Sequence, residues 1–157
     1  MKKISVKIDQ KELMVNFWET EIENPRGIFY IHHGMAEHID RYNYFAEQLN
    51  SKGYHVVGHN HLGHGNNKEN GEGVFARSDG WKKVCYEAKA VCDHFNNLFP
   101  EIPSYLFGHS MGSFVSISSL NNIKNLDGVF LTGTFLPNKG QLFFLKTLLL
   151  IEKVVFR

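Results

Sequence analysis

The sequence is short of several features that would mark a specialised class of protein. Two cysteines in 157 residues do not make a disulfide-stapled domain. Cys85 and Cys92 are seven apart on one predicted helix, and two helical turns separate them by roughly 10 Å, beyond disulfide reach. They read as small core residues, and a reducing, cytoplasmic setting is expected. Charge of one sign is also lacking: 17 Lys and Arg against 16 Asp and Glu leave a net +1, and no basic run exceeds two residues. With no recognition motif either, nucleic acid is not an expected partner. No apolar run reaches 18 residues, so no membrane span is expected. The N-terminus, M-K-K-I-S-V-K, alternates apolar and polar residues where a signal peptide would have an apolar core. Internal repeats and low-complexity segments are missing too.

What is present is an ordinary globular composition, 43% hydrophobic and 21% charged, in a chain long enough for one domain with a real core. Residues 3–8 and 12–18 alternate around Asp9-Gln10-Lys11, the pattern of a β-hairpin. Gly27 to His32 is a continuous apolar run, as in a strand buried on both faces. Asp40 to Lys52 sets Tyr42, Phe45, Ala46 and Leu49 on one helical stripe, and Gly53 stops it. Tyr54 to Gly58 is a second buried strand. A long polar loop from Asn60 to Arg77 follows, of a length that is usually functional or mobile. Ser78 or Asp79 is then expected to cap the best helix in the chain, with Trp81, Val84, Cys85, Ala88, Val91, Cys92, Phe95 and Leu98 on its stripe and Pro100 at its end. A strand at Ser104 to Phe107, a helix from Met111 to about Ile123 and a strand at Gly128 to Leu131 complete the order. Buried strands alternating with amphipathic helices predict an α/β domain with an open, mostly parallel sheet flanked by helices.

The turn between the Ser104–Phe107 strand and the next helix reads Gly108-His109-Ser110-Met111-Gly112, a G-x-S-x-G nucleophile elbow. A strand that turns straight into a helix strains its corner residue and crowds the flanking side chains. Glycine two residues to either side removes the crowding and leaves one hydroxyl at the tip. Ser110 is the candidate nucleophile. The loop after the first buried strand, His32-His33-Gly34-Met35-Ala36-Glu37-His38, lies where ligands of open α/β sheets bind, beyond the carboxyl ends of the strands. Such a loop can present a backbone N–H to an oxyanion, and the residue after the nucleophile supplies a second.

Taken together, His33-Gly34-Met35-Ala36-Glu37-His38-x-x-Arg41-Tyr42, Gly63-His64-Gly65 and Gly108-His109-Ser110-Met111-Gly112 resemble the monoacylglycerol lipase and lysophospholipase branch of the α/β-hydrolases, from about residue 10 to 135. The resemblance implies an α/β-hydrolase fold, truncated before its last strands, with residues 1–135 as the N-terminal part of the core and 136–157 as the start of a cap over an acyl pocket. It implies Ser110 as nucleophile, the N–H groups of Met35 and Met111 as oxyanion hole, and His33, Gly34, Gly108, His109 and Gly112 as support. The implied reaction is hydrolysis of a small acyl ester such as a monoacylglycerol or lysophospholipid through an acyl-serine intermediate. No cofactor and no metal are implied. The cap implies transient contact with a membrane surface, and the exposed edge at Gly128 to Leu131 implies self-association.

Two departures from the family pattern stand out. The loop usually written N-D-x-R-G-H-G reads His59-Asn60-His61-Leu62-Gly63-His64-Gly65 here. Family order also puts the triad Asp and His after the nucleophile, whereas all nine histidines precede Ser110 and the only later aspartate is Asp127. The alternative reading is therefore a catalytically inactive fragment without the triad Asp and His. A zinc hydrolase motif at His59-x-His61-x-x-His64 lacks its aspartate, because Gly63 stands there. Those histidines are expected to be solvated loop residues. The apolar stretch from Gln141 to Phe156 is broken by Lys146, Glu152 and Lys153 and is expected to pack as a core or cap helix.

Overall fold

A computed structural model describes residues 1–135 and 139–140. The expected cap segment lies outside the described residues apart from 139 and 140, as does the apolar stretch from Gln141 to Phe156.

Six strands form one sheet in the order β1-β2-β4-β3-β5-β6. β1 (Lys2–Ile8) and β2 (Lys11–Trp18) are the expected hairpin, turning at Asp9 with φ 54°. β2 runs antiparallel to β4 (Tyr54–His59), while β4, β3 (Gly27–His32), β5 (Ser104–His109) and β6 (Gly128–Thr132) are mutually parallel. Every residue of central β3 is buried. Because side chains alternate along a strand, Ile28 and Tyr30 enter one core cluster and Phe29 and Ile31 the other.

Helices cover both faces. A short 3-10 turn, Ile39–Tyr42, leads into α1 (Asn43–Asn50), whose Ala46 is buried, with Phe45 and Leu49 packed beside it against Phe29, Ile31 and Val56. On the opposite face α2 (Gly80–Leu98) sets Val91, Cys92 and Phe95 against Ile28, Tyr30 and Leu106. α3 (Met111–Ser119) contributes Val115 to a cluster with Val84, Ala88 and Leu62.

α2 differs from its sequence pattern at both ends and once in the middle. Asp79 does precede the helix, but its left-handed backbone (φ 52°) leaves its carboxylate without a capping hydrogen bond, and it pairs with Lys82 at 3.2 Å. Trp81 and Leu98, the ends of the apolar stripe, are exposed. Glu87 is buried, because Lys11 reaches it across the hairpin turn at 3.0 Å and Asn67 Nδ2 donates to it at 2.9 Å. α3 stops at Ser119, short of Ile123, yet Ile123 still enters the core.

Candidate active site

The elbow is built as its spacing demands. β5 runs through His109 and α3 starts at Met111, so Ser110 alone makes the corner, with φ 49° and ψ −116°. A non-glycine residue there costs about 1–3 kcal/mol and persists only when its surroundings fix it. They do: Ser110 N–H donates to Thr132 O at 2.8 Å, and Ser110 O accepts from Ser113 N–H at 2.9 Å and Ser113 Oγ at 2.6 Å. A β-carbon on Gly108 would lie 2.6 Å from Ser116 Oγ and 2.7 Å from Gly112 O. One on Gly112 would overlap His32 O and lie 2.7 Å from His33 O. Both glycines are required by close approach to backbone.

The loop after β3 reaches the same point. A β-carbon on Gly34 would stand 3.3 Å from Ser110 Cβ and 3.3 Å from His109 Cδ2. Glu37 folds the loop back on itself, accepting the Gly34 N–H and, at 2.7 Å, the Tyr42 hydroxyl. Arg41 lies 3.5 Å from its other oxygen. Burial alone would raise the Glu37 carboxyl, but the hydrogen bonds from Tyr42 and Gly34 outweigh it and hold the group below its usual range. Ala36 adopts φ 57° at the turn. Met35 N–H finds no acceptor among the described residues. Met111 N–H is the first of α3, one of the donors a helix leaves unpaired.

The histidines are the correction. His59, His61 and His64 are buried, at 1%, 0% and 7% exposure, where solvated loop residues were expected. The loop after β4 folds against the loop after β3, so His61 packs on His32 and His33, His64 packs on His33, and His59, the last residue of β4, packs on His61. Centroid distances are 4.4 Å for His33–His61, 5.2 Å for His33–His64, 5.2 Å for His59–His61 and 5.8 Å for His32–His61. Burial pushes His32 down to about 3 and His33 to about 4, and drives His59 and His61 well below the ordinary imidazole range. These rings are neutral at pH 7. No set of three or more His, Cys, Asp or Glu side chains among the described residues is placed to hold a metal ion.

None of these rings serves Ser110. His33 uses both nitrogens, Nδ1 with Gly34 O at 2.7 Å and Nε2 as acceptor of His61 N–H at 3.0 Å. His32 Nδ1 meets Ser116 Oγ at 2.9 Å, and Ser116 donates onward to Gly112 O. His109 turns toward β6, with Nδ1 3.1 Å from Thr132 Oγ1. Ser110 Oγ has no hydrogen-bond partner among the described residues. Asp127 lies at the other end of β5, where Oδ2 accepts the Ser104 N–H at 2.8 Å. A surface cavity of about 490 Å³ adjoins the loop after β3, bordered by Met35, Glu37, His64, Lys68 and Phe75; Ser110 is not in its lining.

The family model described as serine aminopeptidase, S33 matches residues 23–156. The chain belongs to that family. It is similar to lipases, with 32% identity over 119 residues to a monoglyceride lipase homolog of Monkeypox virus, covering 76% of this chain and 41% of that protein. Rat monoglyceride lipase is 29% identical, over 71% of this chain and 35% of its own length. This S33-family chain thus spans about two-fifths or less of these relatives. Among solved structures it resembles a carboxyl esterase from Bacillus coagulans (TM-score 0.76, 24% identity, 97% of this chain, 51% of the other). A monoglyceride lipase from Saccharomyces cerevisiae is also similar (TM-score 0.70, 17% identity, 97% of this chain, 52% of the other). These likenesses establish the α/β-hydrolase fold. Residues missed in sequence are Thr132, which accepts the Ser110 N–H, and Ser116, which joins His32 to Gly112; the packing of the imidazoles on one another was missed too. For the imidazole cluster alone there was a visible signal, the crowding of histidines at strand ends.

Proposed function

We propose that the chain carries the nucleophile and oxyanion hole of a serine ester hydrolase acting on acyl esters such as a monoacylglycerol or lysophospholipid. The observation that carries this reading is the strained Ser110 corner with the Gly34–Met35 loop packed against it. Ser110 Oγ attacks the ester carbonyl carbon as a base takes its proton. The Met35 and Met111 N–H groups stabilise the tetrahedral oxyanion, the alcohol leaves with a proton, and water then releases the acid from the acyl-serine. Gly108, Gly112, His33, Gly34 and His109 support that geometry. The names of the lipase relatives favour a lipid acyl group. In the same reading the cap touches a membrane surface transiently. The exposure of Val129, Phe130, Leu131 and Phe135 supports self-association along β6. Two free cysteines support a cytoplasmic setting, and no helix among the described residues is long and apolar enough to cross a membrane.

A fluorophosphonate ester tests the nucleophile. The peptide carrying Gly108–Gly112 takes the label, and Ser110→Ala does not. Equal labelling of the variant overturns the assignment. A second reading, an inactive chain without the triad Asp and His, is favoured by one observation: among the described residues no imidazole reaches Ser110 Oγ. Ser110-dependent turnover of a p-nitrophenyl ester above about 1 s⁻¹, an ordinary enzyme's range, removes it.

A further inference from the structure

Two loops meet beside Ser110, one after β3 (residues 33–37) and one after β4 (residues 60–65), and two imidazoles join them in opposite directions. His33, on the first loop, accepts the His61 N–H of the second at Nε2, 3.0 Å away. His64, on the second, accepts the Ala36 N–H of the first at Nε2, at 3.3 Å. Each ring has its other nitrogen on a carbonyl of its own loop: His33 Nδ1 on Gly34 O at 2.7 Å, and His64 Nδ1 on Leu62 O at 3.0 Å. A neutral imidazole has one donor and one acceptor. With a carbonyl at Nδ1 and an N–H at Nε2, both rings are held in the tautomer that carries its proton on Nδ1. The rings pack on each other at 5.2 Å.

We propose that His33 and His64 form a reciprocal, proton-sensitive clasp that positions the Gly34–Glu37 loop beside Ser110. Both are positioning residues, acting through backbone groups of the other loop. An imidazolium has N–H on both nitrogens, so a proton on either Nε2 sets donor against donor and opens that half of the clasp. Both rings sit among other titratable groups. His33 is faced by His32 from β3, by His61 and His64 from the loop after β4, and by Glu37 and His38 from its own loop. His109, at the end of β5, borders the same loop. His64 shares a cavity with Glu37, His38, Lys68 and Glu72. Burial is the largest influence on His33 and favours its neutral form. The His33 half of the clasp is therefore closed at neutral pH and opens in acid.

The clasp bears on catalysis only through the oxyanion-hole reading above, so one readout is independent of that reading. In the ¹⁵N-labelled chain, long-range imidazole spectra at pH 7.5 should show His33 and His64 both protonated on Nδ1 and bare on Nε2. As pH falls, the amide signal of His61 should move with the midpoint of the His33 ring, while those of Val6 and Leu13 stay still at that midpoint. A proton on Nε2 of either ring at pH 7.5, or a His61 amide that ignores the His33 titration, overturns the clasp. The second readout is Ser110 labelling by a fluorophosphonate. His64→Ala should slow it at least tenfold, His64→Gln, which keeps an acceptor, should restore part of the loss, and the remote His94→Gln should match wild type. Wild-type chain that takes no label at Ser110 refutes the hydrolase reading and leaves the spectra to judge the clasp. Normal labelling of a folded His64→Ala chain refutes the positioning role.

Discussion

Gly112 and His32 stand in backbone contact: a β-carbon on the first would overlap the carbonyl oxygen of the second. The first turn of α3 is thereby pressed against the end of β3, which brings Ser110 beside the loop that follows β3. Gly112→Ala cannot be absorbed by a rotamer change, because the obstacle is main chain. It should cost about 3 kcal/mol or more, at or above the upper end of ordinary overpacking. Urea denaturation of the variant measures this, and a loss under about 1 kcal/mol would mean that the two segments separate easily.

Lys11 and Glu87 join the hairpin turn to α2, and Asn67 bonds to both. Glu87 is 6% exposed, while the Lys11 side chain keeps 26% of its surface. Removing one partner of a buried pair costs about 3–5 kcal/mol, and partial exposure of Lys11 reduces this to about 1–3 kcal/mol. Glu87→Ala should lower the urea midpoint accordingly. Lys11→Met together with Glu87→Leu should recover part of the loss, since no buried charge is then left alone; Glu69, which also pairs with Lys11 at 3.3 Å, is exposed.

Stability should fall on mild acidification. An unfolded histidine titrates near 6.5, whereas His32 and His33 in the folded chain are held to about 3 and about 4. The unfolded state therefore binds more protons below pH 6.5, and the stabilisation present above it is lost as pH falls toward 4. At pH 5 each of these two rings contributes a loss of about 2 kcal/mol by linkage. His59 and His61 act in the same direction. Thermal melts from pH 8 to pH 5 should show Tm flat at first and then dropping. His32→Asn should shallow that drop, and an unchanged profile in the variant would mean that another group carries it.

The outer edge of β6 pairs with no further strand among the described residues, and it displays Val129, Phe130 and Leu131. Sedimentation velocity of the chain should show concentration-dependent association, which Leu131→Lys should weaken by charging the edge. A single monomeric boundary across a hundredfold range of concentration counts against pairing along β6.

Much of the fold was legible in sequence because its signals are local. The apolar runs at Gly27–His32 and Tyr54–Gly58 each belong to one buried strand, and the stripe of α2 belongs to one helix. The elbow was legible because clashes at two fixed positions impose glycine. The burial of His59, His61 and His64 was not, because a histidine in a polar loop carries no mark of what will fold over it. Those rings are buried where two segments more than 20 residues apart in sequence meet. Asp79 misled for a related reason. Its residue type favours a capping role, but its left-handed backbone turns the carboxylate toward Lys82.

Thr132 and Asp127 together give β6 a hold on both ends of β5. At one end Asp127 receives the Ser104 N–H, and at the other Thr132 receives the Ser110 N–H and touches His109. Among the described residues this edge strand is thus the ruler against which the Ser110 corner is set. Whatever holds β6 in register therefore also holds the Ser110 corner, because one backbone hydrogen bond joins the two.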